Sequence, residues 1–310
     1  MTVKNEAILK AVSTAGFGSA PNYVARLNPT QGSEFIRTIV DNTPILKLIR
    51  TIDMPAPTYD LDFVGVASRI IRKATEGTAP TVGNNFTFTK KSLNTVEIVL
   101  PEDITQTFLE DNIERAGAED TISSMLATQF GNDLADLFIN GDTADAGASK
   151  DFLNIDDGLV KLAKVSRGTH KFDTNASQDF KGVVFPGMMA QLPNKWKAQK
   201  ANLRFLVSPS VADAYIDQLA TRQTALGDEL IQGGRLPEYK GVKILPVEYM
   251  PDDVLILTPL SNLAMGIQRD FTIAREYVPR KRIYEYTITS RVDACQIVID
   301  DALVIAYNIT

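Results

Sequence analysis

The spacing of apolar residues changes along the chain, and each spacing predicts a different element. Phe35, Ile36, Ile39 and Val40 follow helical spacing from about Glu34 and stop before Pro44. Ile45 to Thr58 reads as an extended connection, because Pro55 and Pro57 exclude a helix. Period two follows. Tyr59, Leu61 and Phe63 alternate with Asp60 and Asp62, then Phe86 and Phe88 with Thr87 and Thr89, and Val96, Ile98 and Leu100 with Glu97 and Val99. Between these stretches lies Ser68 to Asn85, rich in Arg, Lys, Thr and Gly, so the pattern predicts a long two-stranded finger with a basic tip. An isolated hairpin is marginal in water, so the finger needs a surface to rest on.

Helical spacing returns after Pro101-Glu102-Asp103, with Asp103 as the expected N-cap and Ile104, Phe108 and Leu109 on one edge. A longer helix is predicted from about Asp120 to Asn140, with Ile122, Met125, Leu126, Phe130, Leu134, Leu137 and Phe138 as its apolar stripe. Gly141 is expected to end it in a left-handed conformation. Residues 143–262 alternate between helix and strand. Within them Arg204 to Val207 reads as a strand, Ser208 as an N-cap, and Pro209 as the first residue of a helix carrying Val211, Ala214, Tyr215 and Leu219. Strands are predicted at Val242 to Val247 and Val254 to Leu257. The end of the chain is strand-rich: Leu263 to Ile267, Thr272 to Glu276, Arg282 to Val292 and Leu303 to Ile309. The first 32 residues are broken by Gly16, Gly18, Pro21, Pro29 and Gly32 and read as an arm that gains structure against another chain.

Composition removes several function classes. The single cysteine, Cys295, excludes an intrachain disulfide framework, and the single histidine, His170, excludes sites with two or three His ligands. A net charge of −6 argues against a dedicated nucleic-acid binder. No stretch approaches the roughly 20 apolar residues of a membrane span. His170, among Arg167, Gly168, Lys171 and Asp173, reads as a solvated loop histidine, and Cys295 as a buried strand thiol. Asp156-Asp157, Asp252-Asp253 and Asp300-Asp301 read as turn formers, since none carries a calcium-loop pattern. Lys195, Trp196, Lys197, Lys200 and Arg204 form a basic cluster in which Trp196 is expected to pack beneath the charges. Arg280-Lys281-Arg282 marks a hairpin turn. Neither a catalytic nor a cofactor-binding nor a metal-binding set emerges.

Charge segregation is the sharper signal. From Ser68 to Lys91 the basic residues Arg69, Arg72, Lys73, Lys90 and Lys91 stand against Glu76 alone. From Glu102 to Asp142 ten acids stand against Arg115 alone. Opposite charge on adjacent segments can orient one subunit upon the next in a polymer. The predicted assembly contacts are therefore Arg69, Arg72, Lys73, Lys90 and Lys91 on the finger, with Glu110, Asp111, Glu114, Glu119 and Asp120 on the acidic side.

The order of these parts carries a resemblance. A loose arm, a basic β-finger, a long helix ending in Phe138-Ile139-Asn140-Gly141-Asp142, the strand-Ser208-Pro209-Ser210-helix unit, Tyr239 to Ile244, Val247-Glu248-Tyr249-Met250-Pro251 and two long paired strands follow one another. Together they resemble the major capsid proteins of tailed bacteriophages, which share the Hong Kong 97-type fold. The resemblance implies an α+β fold with an N-terminal arm at 1–32 and an extended E-loop at 53–100. It also implies a peripheral domain from 33–52, 101–142 (with the spine helix) and 263–295, and an axial α/β domain from 143–262 closed by a strand at 296–310. The implied function is structural: hexamers and pentamers in an icosahedral virion shell, built in the bacterial cytoplasm around non-specifically held double-stranded DNA. Nothing before Glu34 looks like a helical scaffolding segment, so a separate scaffolding protein is expected; the resemblance also implies a portal protein and leaves room for a decoration protein, with no membrane. Two alternatives remain at this stage: an encapsulin-like compartment shell, and an oligomeric α/β enzyme.

Overall fold

The computed structural model describes residues 44–66, 71, 73, 76–77, 86–111, 118–147, 150–220 and 238–309. The predicted arm at 1–32 and the helix from Glu34 lie outside the described residues. In chain order the elements begin with α1 (Pro44–Leu48), β1 (Arg50–Asp53), β2 (Thr58–Val66), β3 (Phe86–Asn94), β4 (Val96–Thr105), α2 (Gln106–Asp111) and α3 (Ala118–Asn140). Next come α4 (Lys150–Leu153), α5 (Leu159–Val165), β5 (His170–Asp173), a π turn at Phe180–Val184, α6 (Phe185–Gln191) and α7 (Asn194–Lys197). The chain continues with β6 (Leu203–Val207), α8 (Pro209–Ala220), β7 (Glu238–Tyr239), β8 (Val242–Pro246) and β9 (Leu255–Pro259). It closes with β10 (Leu263–Val278), β11 (Ile283–Ile297) and β12 (Val304–Tyr307).

The strands form three sheets. One runs β1-β10-β11-β4, the second β5-β12-β9-β6-β8-β7, and the third is the hairpin β2-β3. In the six-stranded sheet β12 and β6 are antiparallel to β9, whereas β5 is parallel to β12 and β8 to β6. Its central strands β12, β9 and β6 are buried on both faces, which is why Leu255-Ile256-Leu257 is uniformly apolar rather than alternating. Leu206, Ile256 and Ile305 face a core shared with Phe130, Leu134 and Phe138 of α3 and with Ile288 and Val292 of β11. Phe205, Val207, Leu255, Leu257, Val304 and Ala306 face a second core under α6 and α8. The long helix α3 thus bridges the two large sheets through one stripe.

Several expectations are corrected by tertiary context. Pro44–Leu48 is a helical turn rather than extended chain, because Ile45 and Leu46 bury against the α3 core. Pro101 to Asp103 does not open a helix; it continues β4, whose register against β11 runs from Val96↔Val292 to Thr105↔Ile283. The helix starts only after Thr105, whose Oγ1 accepts the Phe108 N–H at 3.3 Å. The two strands expected between Leu263 and Glu276 are one strand interrupted by register shifts between Ile267 and Thr272. Met125 is 65% exposed and lies off the stripe.

Gly141 ends α3 for a different reason from the one expected. Among the described glycines only Gly77 and Gly241 have positive φ. A Cβ at Gly141 would sit 2.3 Å from the Asp156 carbonyl oxygen and 2.7 Å from that of Leu137. Close backbone approach, including Gly158 N–H to Gly141 O at 2.7 Å, requires glycine here.

Leu134 and Leu137 are both buried, as the stripe predicts. Leu137→Ala is expected to cost about 2–5 kcal/mol in urea melts of unassembled subunits. A change of a few tenths of a kcal/mol would mean that the helix packs through another face.

Candidate assembly interface

The finger is the hairpin β2–β3, with Thr58↔Asn94 at its root and Val66↔Phe86 at its described outer end. Its root is fixed to the body of its own chain. Tyr59, Leu61 and Phe63 pack on Ile52, Met54, Leu93, Ala264 and Val298. Asn94 N–H donates to Asp293 Oδ2 at 2.6 Å, and Gln296 Nε2 donates to Ser92 O at 3.0 Å. Lys91 Nζ donates to both carboxylate oxygens of Asp300, at 2.9 and 3.1 Å. The finger therefore finds part of the surface it needs within its own subunit.

The predicted basic contacts fall into three groups. Lys91 is engaged with Asp300, and Lys90 lies on Asp60 across the hairpin at 2.7 Å. The Lys90 hydrogen bond, followed by that of Ser92, holds the Asp60 carboxyl below its ordinary range. Lys73 is exposed, while Arg69 and Arg72 lie outside the described residues. On the acidic side Glu110 and Asp111 are placed on α2 and Glu119 and Asp120 on the first turn of α3; Glu114 lies outside the described residues.

The acids at the far end of α3 have partners within the chain. Asp142 and Asp157 share Lys161 Nζ, each at 2.7 Å. The Lys161 hydrogen bond is the largest influence holding Asp142 low. Asp133 accepts from Gln129 Nε2 at 2.7 Å, and its carboxyl is pushed up mainly by burial. A further acidic row crosses the four-stranded sheet, where Glu276 lies opposite Glu285 and Glu285 opposite Asp103. Like charges directly opposite one another disfavour a sheet. Lys281 Nζ offsets the row by reaching Glu285 at 3.0 Å.

Sequence reasoning missed two coupled carboxyls, the buried Asp293 at the finger root and the half-buried Asp156. Asp293, on β11, is pushed up to about 7, first by burial and then by the charge of Asp156. Asp156 is also raised by burial, although it accepts the Ala294 N–H at 2.7 Å and the Asp157 N–H at 2.8 Å. The available signal was an acid inside the strand run Val292-Asp293-Ala294-Cys295.

The remaining chemical candidates resolve into structural roles. His170 lies on β5 rather than in a loop, with Nε2 3.0 Å from Asp301 Oδ1. Trp196 packs against the second core and points its indole N–H toward the same carboxylate at 3.4 Å. Lys197 and Arg204 donate to backbone carbonyls, of Ala190 and of Ala201 and Leu203 respectively. Arg280 to Arg282 forms the β10–β11 turn. Cys295 is buried, and burial raises its thiol pKa far above the ordinary value, which suppresses the thiolate. Among the described residues no group of three or more His, Cys, Asp or Glu is placed to hold a metal, and no helix is long and apolar enough to cross a membrane.

Comparison with known proteins agrees with a structural reading. A putative prophage capsid protein of Bacillus subtilis, YqbE, is 31% identical over 281 residues, covering 86% of this chain and 88% of that protein. Among solved structures, the satellite phage P4 procapsid is similar with a TM-score of 0.72 at 14% identity, covering 100% of this chain and 98% of that one. The capsid of the native GTA particle gives a TM-score of 0.65 at 15% identity, covering 96% and 98%. These structural likenesses establish a Hong Kong 97-like α+β fold. The sequence matches the Phage capsid family over residues 26–306, and the chain belongs to that family as a subunit of a phage head shell.

Proposed function

We propose that copies of this chain assemble as hexamers and pentamers into an icosahedral head that encloses double-stranded DNA without sequence-specific contacts. The family match over residues 26–306 carries this reading. The four-stranded sheet with α3 supports a peripheral domain drawn from 33–52, 101–142 and 263–295. The six-stranded sheet supports an axial domain from 143–262, closed by 296–310. The hairpin at 53–100 then acts as the E-loop and the first 32 residues as an arm. The chain works by assembly rather than catalysis. A prophage capsid protein among its relatives favours the phage head over a cellular compartment. A separate scaffolding protein, a portal protein and a decoration protein complete the proposed partners, with assembly in the host cytoplasm.

Electron microscopy of the purified protein tests the proposal directly: closed shells support it, and a discrete small oligomer that never closes defeats it. The charge pattern adds a graded test. Each exposed ion pair contributes only about 0–1 kcal/mol, but a shell repeats the contact in every subunit. Reversing Arg69, Arg72 and Lys73 to Glu is expected to lower shell yield more than subunit melting temperature. The wild-type contact should also weaken with salt, because the screening length falls from about 10 Å at 0.1 M to about 3 Å at 1 M. Normal yield for the triple reversal would make the charge segregation incidental.

A further inference from the structure

In a chain of net charge −6, residues 161–204 hold nine Lys and Arg against two Asp. The fold gathers much of that charge at one end of the six-stranded sheet. β5 runs parallel to β12 and β8 to β6, while β9 is antiparallel to both β12 and β6, so β5, β12, β6 and β8 all start at the same end. The register aligns them: His170, Val304, Leu257, Phe205 and Ile244 form one row across the sheet. One residue further out, Arg204 lies beside Lys243. Arg167 sits just before β5, and Lys195, Lys197 and Lys200 lie on the chain that leads into β6. Lys240 joins them from the turn between β7 and β8.

The carboxylates of the turn before β12 are occupied. Asp300 holds Lys91, and Asp301 faces His170 at 3.0 Å and the Trp196 indole N–H at 3.4 Å. Glu238, opposite Lys243, offsets one cation. Arg167, Lys195, Lys200, Lys240 and Lys243 are exposed. Trp196 packs on the second core and carries Lys195 Nζ 5.2 Å from its ring centroid. Neither 194–204 nor 238–243 exposes a large apolar side chain. Protein–protein contacts take their hold from apolar and aromatic anchors and are depleted in Lys. A lysine-rich surface without such anchors suits a uniformly charged polyanion, whose phosphates are met as point charges whatever the base sequence.

We infer that the basic end of the six-stranded sheet, centred on Lys195, Lys200 and Lys243, is a contact surface for the phosphate backbone of double-stranded DNA. The inference rests on the DNA-enclosing reading and assigns that contact to residues, with this end turned to the lumen of the shell. Each contact is electrostatic and weak, and a shell multiplies it by repeating the subunit. Phosphate contacts of this kind let DNA slide, so they hold the duplex near the wall without arresting it.

The test uses unassembled full-length subunits and a short random-sequence duplex, read by fluorescence anisotropy over a range of salt. Wild type is expected to bind with a Kd of about 1–100 µM at physiological salt, the range of non-specific contacts. Lys195→Glu with Lys200→Glu should weaken binding at least tenfold and reduce the slope of log affinity against log salt by about 2. Lys195→Arg with Lys200→Arg should retain binding. Lys73→Glu with Lys281→Glu removes the same charge from other exposed positions and should weaken binding far less. In closed shells, an amine reagent coupled to a polymer too large to enter should leave Lys195 and Lys200 unlabelled. An equal loss in the Lys73/Lys281 control would reduce the effect to net charge and overturn the inference. So would wild type that ignores the duplex, labelling of Lys195 or Lys200 from outside, or a Lys195/Lys200 reversal that binds DNA normally yet forms no shells, which would assign this end to another copy of the chain. All of these leave the closed shells of wild type, and the shell reading, intact. Wild-type protein that forms no shell would remove that reading, and the inference with it.

Discussion

Phe185→Ala is expected to cost about 3–5 kcal/mol of subunit stability, the range for emptying a large aromatic site in a packed core. The ring is fully buried at the start of α6, where the π turn at Phe180–Val184 hands over to the helix. Its centroid lies 4.6 Å from Phe205, 5.0 Å from Tyr215, 5.3 Å from Tyr239 and 6.2 Å from Phe180. Those partners come from β6, α8, β7 and the π turn, so one side chain joins elements far apart in sequence. The measurement is a urea melt of the unassembled subunit, with an unchanged denaturant slope showing that the transition is still the same one. A loss below about 1 kcal/mol would mean that the cluster repacks freely. Phe185 is remote in sequence and packing from the finger root. Below the variant's melting temperature, shells should therefore still close.

What was legible in the sequence is what local physics determines. The α3 stripe through Leu134, Leu137 and Phe138 is a periodic signal over a long helix, and it lies where the spacing put it. The Ser208 cap is a contact between near neighbours, with Ser208 Oγ accepting the Val211 N–H at 3.2 Å. The basic turn at 280–282 and the alternation of the hairpin strands are equally local. The errors fall where a distant partner decides. Pro101 to Asp103 carries helix-start residues, yet the adjacent β11 ladder keeps it in a strand. Gly141 has the residue type of a left-handed cap, but its position is fixed by the approach of Asp156 and Gly158 from the following loop. The basic residues at 90 and 91 looked available because their partners, Asp60 and Asp300, lie 30 or more residues away. In the run Leu61-Asp62-Phe63-Val64 the alternation slips by one residue, and only the register shows that Val64 shares its face with Phe88 rather than with Phe63.

Asp293→Asn is expected to raise stability at pH 8 while leaving it nearly unchanged at pH 4. The Asp293 carboxyl has an ordinary pKa of 3.8 and is pushed up to about 7 in the folded chain, so the folded state binds its proton more tightly than the unfolded one. Below about pH 4 both states carry the proton, and the group imposes no cost. Between about pH 4 and 7 the unfolded chain ionises first, so stability falls as pH rises, by about 4 kcal/mol over the window. Above about pH 7 both states are ionised and the loss is constant. Asparagine is close in shape, retains an oxygen to accept the Asn94 N–H, and cannot ionise beside Asp156. The stability difference between variant and wild type should therefore grow from near zero at pH 4 to as much as about 4 kcal/mol at pH 8. Asp156→Asn should produce part of the same effect, because the charge of Asp156 is the second influence that raises Asp293. Denaturant melts across that pH range provide the measurement. A difference that stays flat with pH would show that Asp293 is ionised throughout, with the Asn94 N–H and solvent together carrying its charge at the finger root.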